Sequence, residues 1–200
     1  MRIIFIRHLP TANNLSDVFL GRLDLDCDTN YIKDINFNDI QDSIGKVSAV
    51  YCSPLKRAIQ SANLVFPNQD KIVDNRLIER DLGDWSNVSK EKLRKECPNG
   101  FYQNGKLKFS YTPNGGEPFE QLIIRVANFL LDVMKNHSSE TVAVVTQNGV
   151  ITTVKCILKK DFCDTEAVSF QPYIEPFAVD FCSSDVRYLK KIASGDFKIN

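Results

Sequence analysis

Thr141-Val142-Ala143-Val144-Val145-Thr146-Gln147-Asn148-Gly149-Val150 is the stretch from which the fold can be read. Its β-branched and small residues are apolar on both faces, as suits a strand covered from two sides. Gln147-Asn148-Gly149 then turns the chain, and Val150 to Leu158 continues as a helix. The same order recurs earlier. Arg2 to Ile6 reads as a buried strand, and Val47 to Cys52 is an apolar run that ends at Ser53-Pro54. Serine as N-cap with proline at the first helical position predicts a helix over Pro54 to Val65, followed by a short strand near Lys71 to Val73. Upstream of 141, Phe119, Leu122, Ile123, Val126, Phe129, Leu130 and Val133 keep helical spacing and predict a long amphipathic helix. Phe177 to Cys182 and Tyr188 to Ile192 read as final strands. Strands alternating with helices predict an α/β fold: three αβα layers, with a mostly parallel central sheet and helices on both faces.

The 200 residues suit a single domain, 1–200. Segment 97–118 stands apart: Pro98-Asn99-Gly100, Asn104-Gly105 and Pro113-Asn114-Gly115-Gly116 break it, with Phe101, Tyr102, Phe109 and Tyr111 between, so it reads as an excursion or lid. Gly115-Gly116 is read as turn chemistry, with Glu117 starting the next helix. Lys and Arg number 25 against 25 Asp and Glu, so no basic excess points to nucleic acid. Arg7 interrupts the first apolar run well short of a signal peptide, and no run approaches the ~18 residues of a membrane span, so the expected location is the cytoplasm. The six cysteines form no C-x-x-C pair and read as reduced thiols, largely core fillers. Asp24, Asp26 and Asp28 alternate as in a calcium loop, but Thr29 and Ile35 stand where glycine and glutamate are needed. No metal or nucleotide cofactor is expected, and pairing into a homodimer stays open.

Open α/β sheets bind ligands beyond the carboxyl ends of their strands. Three such ends carry Arg7-His8, then Ser53-Pro54 with Arg57 one turn later, then Gln147-Asn148-Gly149. Arginine forks beside a helix N-terminus suit a dianion. Positive charge nearby also lowers a histidine's pKa and keeps one ring nitrogen nucleophilic toward a phosphoryl group. An isolated Arg-His pair is more often structural, and Glu79-Arg80-Asp81 alone equally fits a solvated charge run.

Arg7-His8-Leu9-Pro10-Thr11-Ala12-Asn13-Asn14 resembles the R-H-x-x-[ST]-x-x-N signature of the histidine phosphatase superfamily, the phosphoglycerate mutase-like family. Phe19-Leu20-Gly21 with Asp24, Cys52-Ser53-Pro54-Leu55-Lys56-Arg57-Ala58, Leu77-Ile78-Glu79-Arg80-Asp81-Leu82-Gly83-Asp84-Trp85, Gly115-Gly116-Glu117 with Arg125, and Val144 to Ile151 follow in the order of that family. The resemblance implies a metal-independent phosphatase acting on a small phosphorylated metabolite, with phosphate or sulfate fitting the pocket. It makes His8 the nucleophile that becomes phosphohistidine, Arg7 and Arg57 the phosphoryl clamp, and Glu79 the proton donor. Thr11, Asn14, Leu20, Gly21, Arg80 and Asn148 would bind substrate. Gln147 departs from the pattern, since the last motif of the family normally carries a second histidine there. An amide at 147 can donate a hydrogen bond to a phosphoryl oxygen across from His8 but carries no charge, so attenuated catalysis is expected. Natural divergence and a substitution made to trap a ligand would both leave this pattern. The other histidine, His137, is expected to be exposed in a polar loop. The competing readings are a pseudoenzyme that binds a phosphorylated ligand or a protein partner, and a phosphoglycerate mutase, for which the chain is short but Arg80 fits.

Overall fold

Strand β1 (Arg2–Arg7) runs through the sheet, buried from Ile3 onward, with β4 (Thr141–Thr146) on one side and β5 (Pro176–Asp180) on the other. The computed structural model describes residues 1–162 and 168–199, except for the side chain of Leu15. Outside β4 lie β2 (Ala49–Cys52) and β3 (Lys71–Val73), giving the order β3-β2-β4-β1-β5. Four strands are parallel and β5 is antiparallel, so the sheet is mostly parallel as expected.

Because strand side chains alternate, each strand feeds two cores. Ile3, Phe5, Val142 and Val144 face α6 (Phe119–Asn136), α7 (Asn148–Lys159) and α8 (Ser183–Ala193). Ile4, Ile6, Ala143 and Val145 face the opposite layer, where α4 (Lys56–Val65) buries Ala58, Ala62 and Val65 beside α3 (Phe37–Ile44). Two one-turn helices, α1 (Ala12–Leu15) and α2 (Thr29–Ile32), carry the chain between β1 and α3. A third apolar cluster lies under segment 97–118. Trp85 stacks on Phe101 at 5.2 Å and on Tyr111 at 5.0 Å, and α5 (Lys90–Glu96) adds Leu93.

Several expectations need correction. Tyr188 to Ile192 is not a strand but part of α8, in which Leu189 and Ile192 are buried three residues apart and the Asp185 carboxylate accepts from Cys182 N at 2.9 Å. Helix α4 starts at Lys56, and Ser53 does not cap it. The Ser53 hydroxyl accepts from Gln147, while Asp24 accepts from Lys56 N at 2.7 Å and closes the helix start. Gln147-Asn148-Gly149 makes no separate turn, because Gln147 stays extended and Asn148 opens α7 directly. Glu117 precedes α6, whose N-cap is Pro118. His137 is mostly buried, bonded to the Tyr51 hydroxyl at 2.9 Å and to Glu140 at 2.7 Å. Cys27, Cys52 and Cys156 do fill the core, Cys97 is half-buried, Cys182 is exposed, and Cys163 lies outside the described residues. Asp24, Asp26 and Asp28 serve helix starts and Gln60. Among the described residues no helix is long and apolar enough to cross a membrane.

Phe129 is fully buried and meets the Tyr51 ring edge-on at 5.5 Å. Phe129→Ala is therefore expected to lower the unfolding free energy by ~3–5 kcal/mol in urea titration, whereas Ile72→Thr on the exposed edge strand should stay within about 0.5 kcal/mol.

Candidate active site

The parallel strands β1, β2 and β4 end at one rim and are fastened together there. His8 N donates to Thr146 O at 2.9 Å, and Ser53 N donates to Val145 O at 3.0 Å. These bonds bring Arg7-His8, the start of α4 and the start of α7 around one cavity of about 410 Å³. Its wall includes Arg7, His8, Arg57, Glu79, Arg80 and Asn148, which lie far apart in the chain. A ligand site at the carboxyl ends of the strands is where the fold class places it.

His8 is buried, and its Nδ1 lies 2.5 Å from the Leu9 carbonyl. A carbonyl only accepts, so Nδ1 carries the proton and Nε2 keeps its lone pair. Burial first, then the charge of Arg57 and more weakly that of Arg7, hold the imidazole well below the ordinary histidine pKa, against the opposing pull of the Leu9 carbonyl. His8 is a neutral base near neutral pH.

Arg7, Arg57 and Arg80 are all buried, and none of them enters an ion pair among the described residues. Backbone carbonyls hold them instead. Arg7 Nη1 donates to Gln171 O at 3.0 Å, Arg57 Nη2 to Gly21 O at 2.9 Å, and Arg80 Nη2 to Tyr111 O at 2.8 Å. Each also keeps one buried nitrogen without a partner, namely Arg7 Nε, Arg57 Nε and Arg80 Nη1. Burial lowers the pKa of all three, that of Arg80 to about 10, yet they remain charged at neutral pH. Three desolvated cations in one cavity suit a multiply charged anion.

Glu79 is the carboxylate beside them. Its Oε2 accepts from Gly149 N at 3.2 Å and its Oε1 from Arg80 N at 2.8 Å. Only glycine permits this approach, because a Cβ at 149 would sit 2.1 Å from Glu79 Oε1. Glu117 lies behind, paired with Arg125 at 2.7 Å and Arg22 at 3.1 Å, and both arginines also donate to the Glu79 carbonyl. Nothing in the local sequence separates this buried glutamate from a turn residue.

Asn14, Leu20, Gly21, Arg80 and Asn148 line the cavity as the sequence suggested. Thr11 and Gln147 do not. Thr11 caps α1 and donates to Asn14 Oδ1 at 3.1 Å, so it stands behind Asn14. Gln147 is fully buried, its Nε2 donates to Ser53 Oγ at 3.0 Å, and Thr146 Oγ1 lies 3.3 Å from its Oε1. The amide is satisfied among buried hydroxyls and does not face the cavity across from His8. Sequence reasoning missed Phe170 and Tyr173, which line the cavity and lie against Arg7 at 4.4 and 3.6 Å.

The family profile described as histidine phosphatase superfamily (branch 1) matches residues 3–167. The chain belongs to that superfamily. This histidine phosphatase is a phosphoric monoester hydrolase by family. Among curated proteins it is 28% identical over 160 residues to phosphoserine phosphatase 1 of Hydrogenobacter thermophilus, covering 79% of this chain and 76% of that one. It is 31% identical over 164 residues to a metal-independent phosphoserine phosphatase of Arabidopsis thaliana, covering 76% and 66%. Among solved structures, Bacillus stearothermophilus YhfR superposes with a TM-score of 0.80 over 91% of this chain and 92% of that one, at 22% identity. At that identity the likeness supports the fold alone.

Because the folded protein holds His8 neutral, the unfolded chain takes up a proton below about pH 6.5 that the folded chain refuses. Its contribution to stability is complete above that pH and is lost as pH falls below it, by up to ~1.4 kcal/mol per pH unit. Urea titrations at pH 7.0, 6.5, 6.0 and 5.5 should show this slope in the native chain and a shallower one in His8→Asn.

Proposed function

We propose that this histidine phosphatase removes the phosphoryl group from a small phosphorylated metabolite through a phosphohistidine formed at His8. The observation that carries this reading is a buried neutral imidazole sharing one cavity with one carboxyl group and three guanidiniums that enter no ion pair among the described residues. A phosphoryl dianion lies against Arg7 and Arg57, whose charge offsets the oxygens as the bond order at phosphorus changes. His8 Nε2 attacks phosphorus, the P–O bond to the alcohol breaks, and the carboxylic acid of Glu79 protonates the leaving oxygen. Water then gives its proton to the Glu79 carboxylate and attacks phosphorus, which breaks the P–N bond and releases phosphate. The guanidiniums supply the positive charge, so no metal is required by this scheme. The two relatives named as phosphoserine phosphatases support a small metabolite as substrate.

Turnover of an aryl phosphate should survive a metal chelator and disappear in His8→Ala, while brief quenching of the native enzyme should leave an acid-labile, base-stable phosphate on His8. Label on a serine or cysteine, or activity abolished by chelator, would count against the scheme.

Gln147 makes the enzyme slow in this reading. Its amide is neutral and already donates to Ser53, so the phosphoryl oxygens gain no charge from this position. Gln147→His, whose imidazole has to leave Ser53 and turn into the cavity to act, should then raise kcat by ~10²-fold, equivalent to ~2.7 kcal/mol of barrier, with a smaller change in phosphate affinity because the arginines remain. Unchanged background turnover in a folded variant that still binds phosphate would favour the binding-only pseudoenzyme.

A further inference from the structure

Arg7 is fixed by a part of the chain that lies beyond the family match. That match ends at residue 167, whereas Phe170, Gln171 and Tyr173 all contact the Arg7 guanidinium. Tyr173 places its ring 3.6 Å from the guanidinium carbon, Phe170 lies at 4.4 Å, and the Gln171 carbonyl takes the Nη1 hydrogen. The backbone secures this arrangement. Tyr173 forms a parallel bridge with Arg7, and Ile174 N donates to Arg7 O at 2.9 Å. Ile174 holds φ at +63°, a left-handed conformation that a β-branched residue rarely adopts, with its side chain buried in the α3–α4 core. Such a conformation persists where the surroundings over-determine it.

We propose that Tyr173, assisted by Phe170, is a positioning residue that sets the plane of the Arg7 guanidinium for the phosphoryl group. A guanidinium donates only in its own plane, so a ring lying against its face confines the directions of its N–H bonds. Nη1 is held by Gln171, and the buried Nε has no partner, so it is one donor that an incoming oxygen can take. Tyr173 also meets His8 edge-on at 5.9 Å and lines the cavity, so the same ring sets the spacing of nucleophile and clamp. This assignment rests on the phosphoryl site proposed above, but it concerns anion affinity and can be read without turnover.

The test compares Tyr173→Phe, Tyr173→Leu and Phe170→Ala with the native chain, measuring affinity for inorganic phosphate, kcat and KM for an aryl phosphate, and the unfolding midpoint. Tyr173→Leu, which loses the ring, should weaken phosphate binding and lower kcat by roughly five- to thirtyfold, the range of a desolvated cation–π contact. Tyr173→Phe keeps the ring and should restore phosphate affinity to within about twofold. Phe170 is 62% exposed, so Phe170→Ala folds whatever the fate of the leucine variant, and it should weaken phosphate binding by about two- to fivefold. Native affinity in Tyr173→Leu or Phe170→Ala overturns the proposal, as does a phenylalanine variant as weak as leucine, which would assign the effect to the hydroxyl. If the native chain shows no turnover, the catalytic reading fails while the phosphate measurements still decide this one.

Discussion

Three guanidinium groups are buried in one cavity with no carboxylate partner among the described residues, and much of the architecture follows from keeping them there. Desolvating each cation costs several kcal/mol in a low-dielectric interior unless other groups compensate. Here the compensation comes from carbonyl oxygens of Gly21, Leu23, Tyr111, Glu117 and Gln171, drawn from loops widely separated in sequence. A carbonyl offers a dipole and no charge, so the positive potential survives. The Glu117 carboxylate nearby is engaged by Arg125 and Arg22. The remaining charge is complementary to a phosphoryl dianion.

The same constraint explains the treatment of Glu79. A free carboxylate beside Arg57 would close into an ion pair. Instead both oxygens accept backbone N–H groups, one from the first turn of α7, where Gly149 leaves room for the approach. The carboxyl group is thereby kept beside the cations without being consumed by them, as the role proposed for it requires.

Strands β1, β2 and β4 and helix α6 were legible because each shows a sustained apolar pattern of the correct period. Tyr188 to Ile192 misled because a five-residue window with apolar ends fits both periods, and only packing against α6 separates Leu189 and Ile192 as one helical face. His8, Arg7 and Arg57 were legible as chemistry at strand ends, whereas Glu79 stood out only through the family resemblance. The Gln147–Ser53 bond was not, since it joins residues 94 apart that each had an expected local role. Phe170 and Tyr173 carried no motif, because their place beside Arg7 depends on β5 returning antiparallel along β1. Irregular segments reach such positions through tertiary pairing that no local pattern encodes.

Arg7 and the Gln171 carbonyl that holds it are 164 residues apart. A ribosome releases β1 well before the 170–174 segment, so the central strand is made long before the element that contacts its terminal arginine. All four parallel strands and α7 precede in the chain the segment that fixes this guanidinium. The contacts that fix this guanidinium therefore form late in synthesis, with the docking of the antiparallel edge strand.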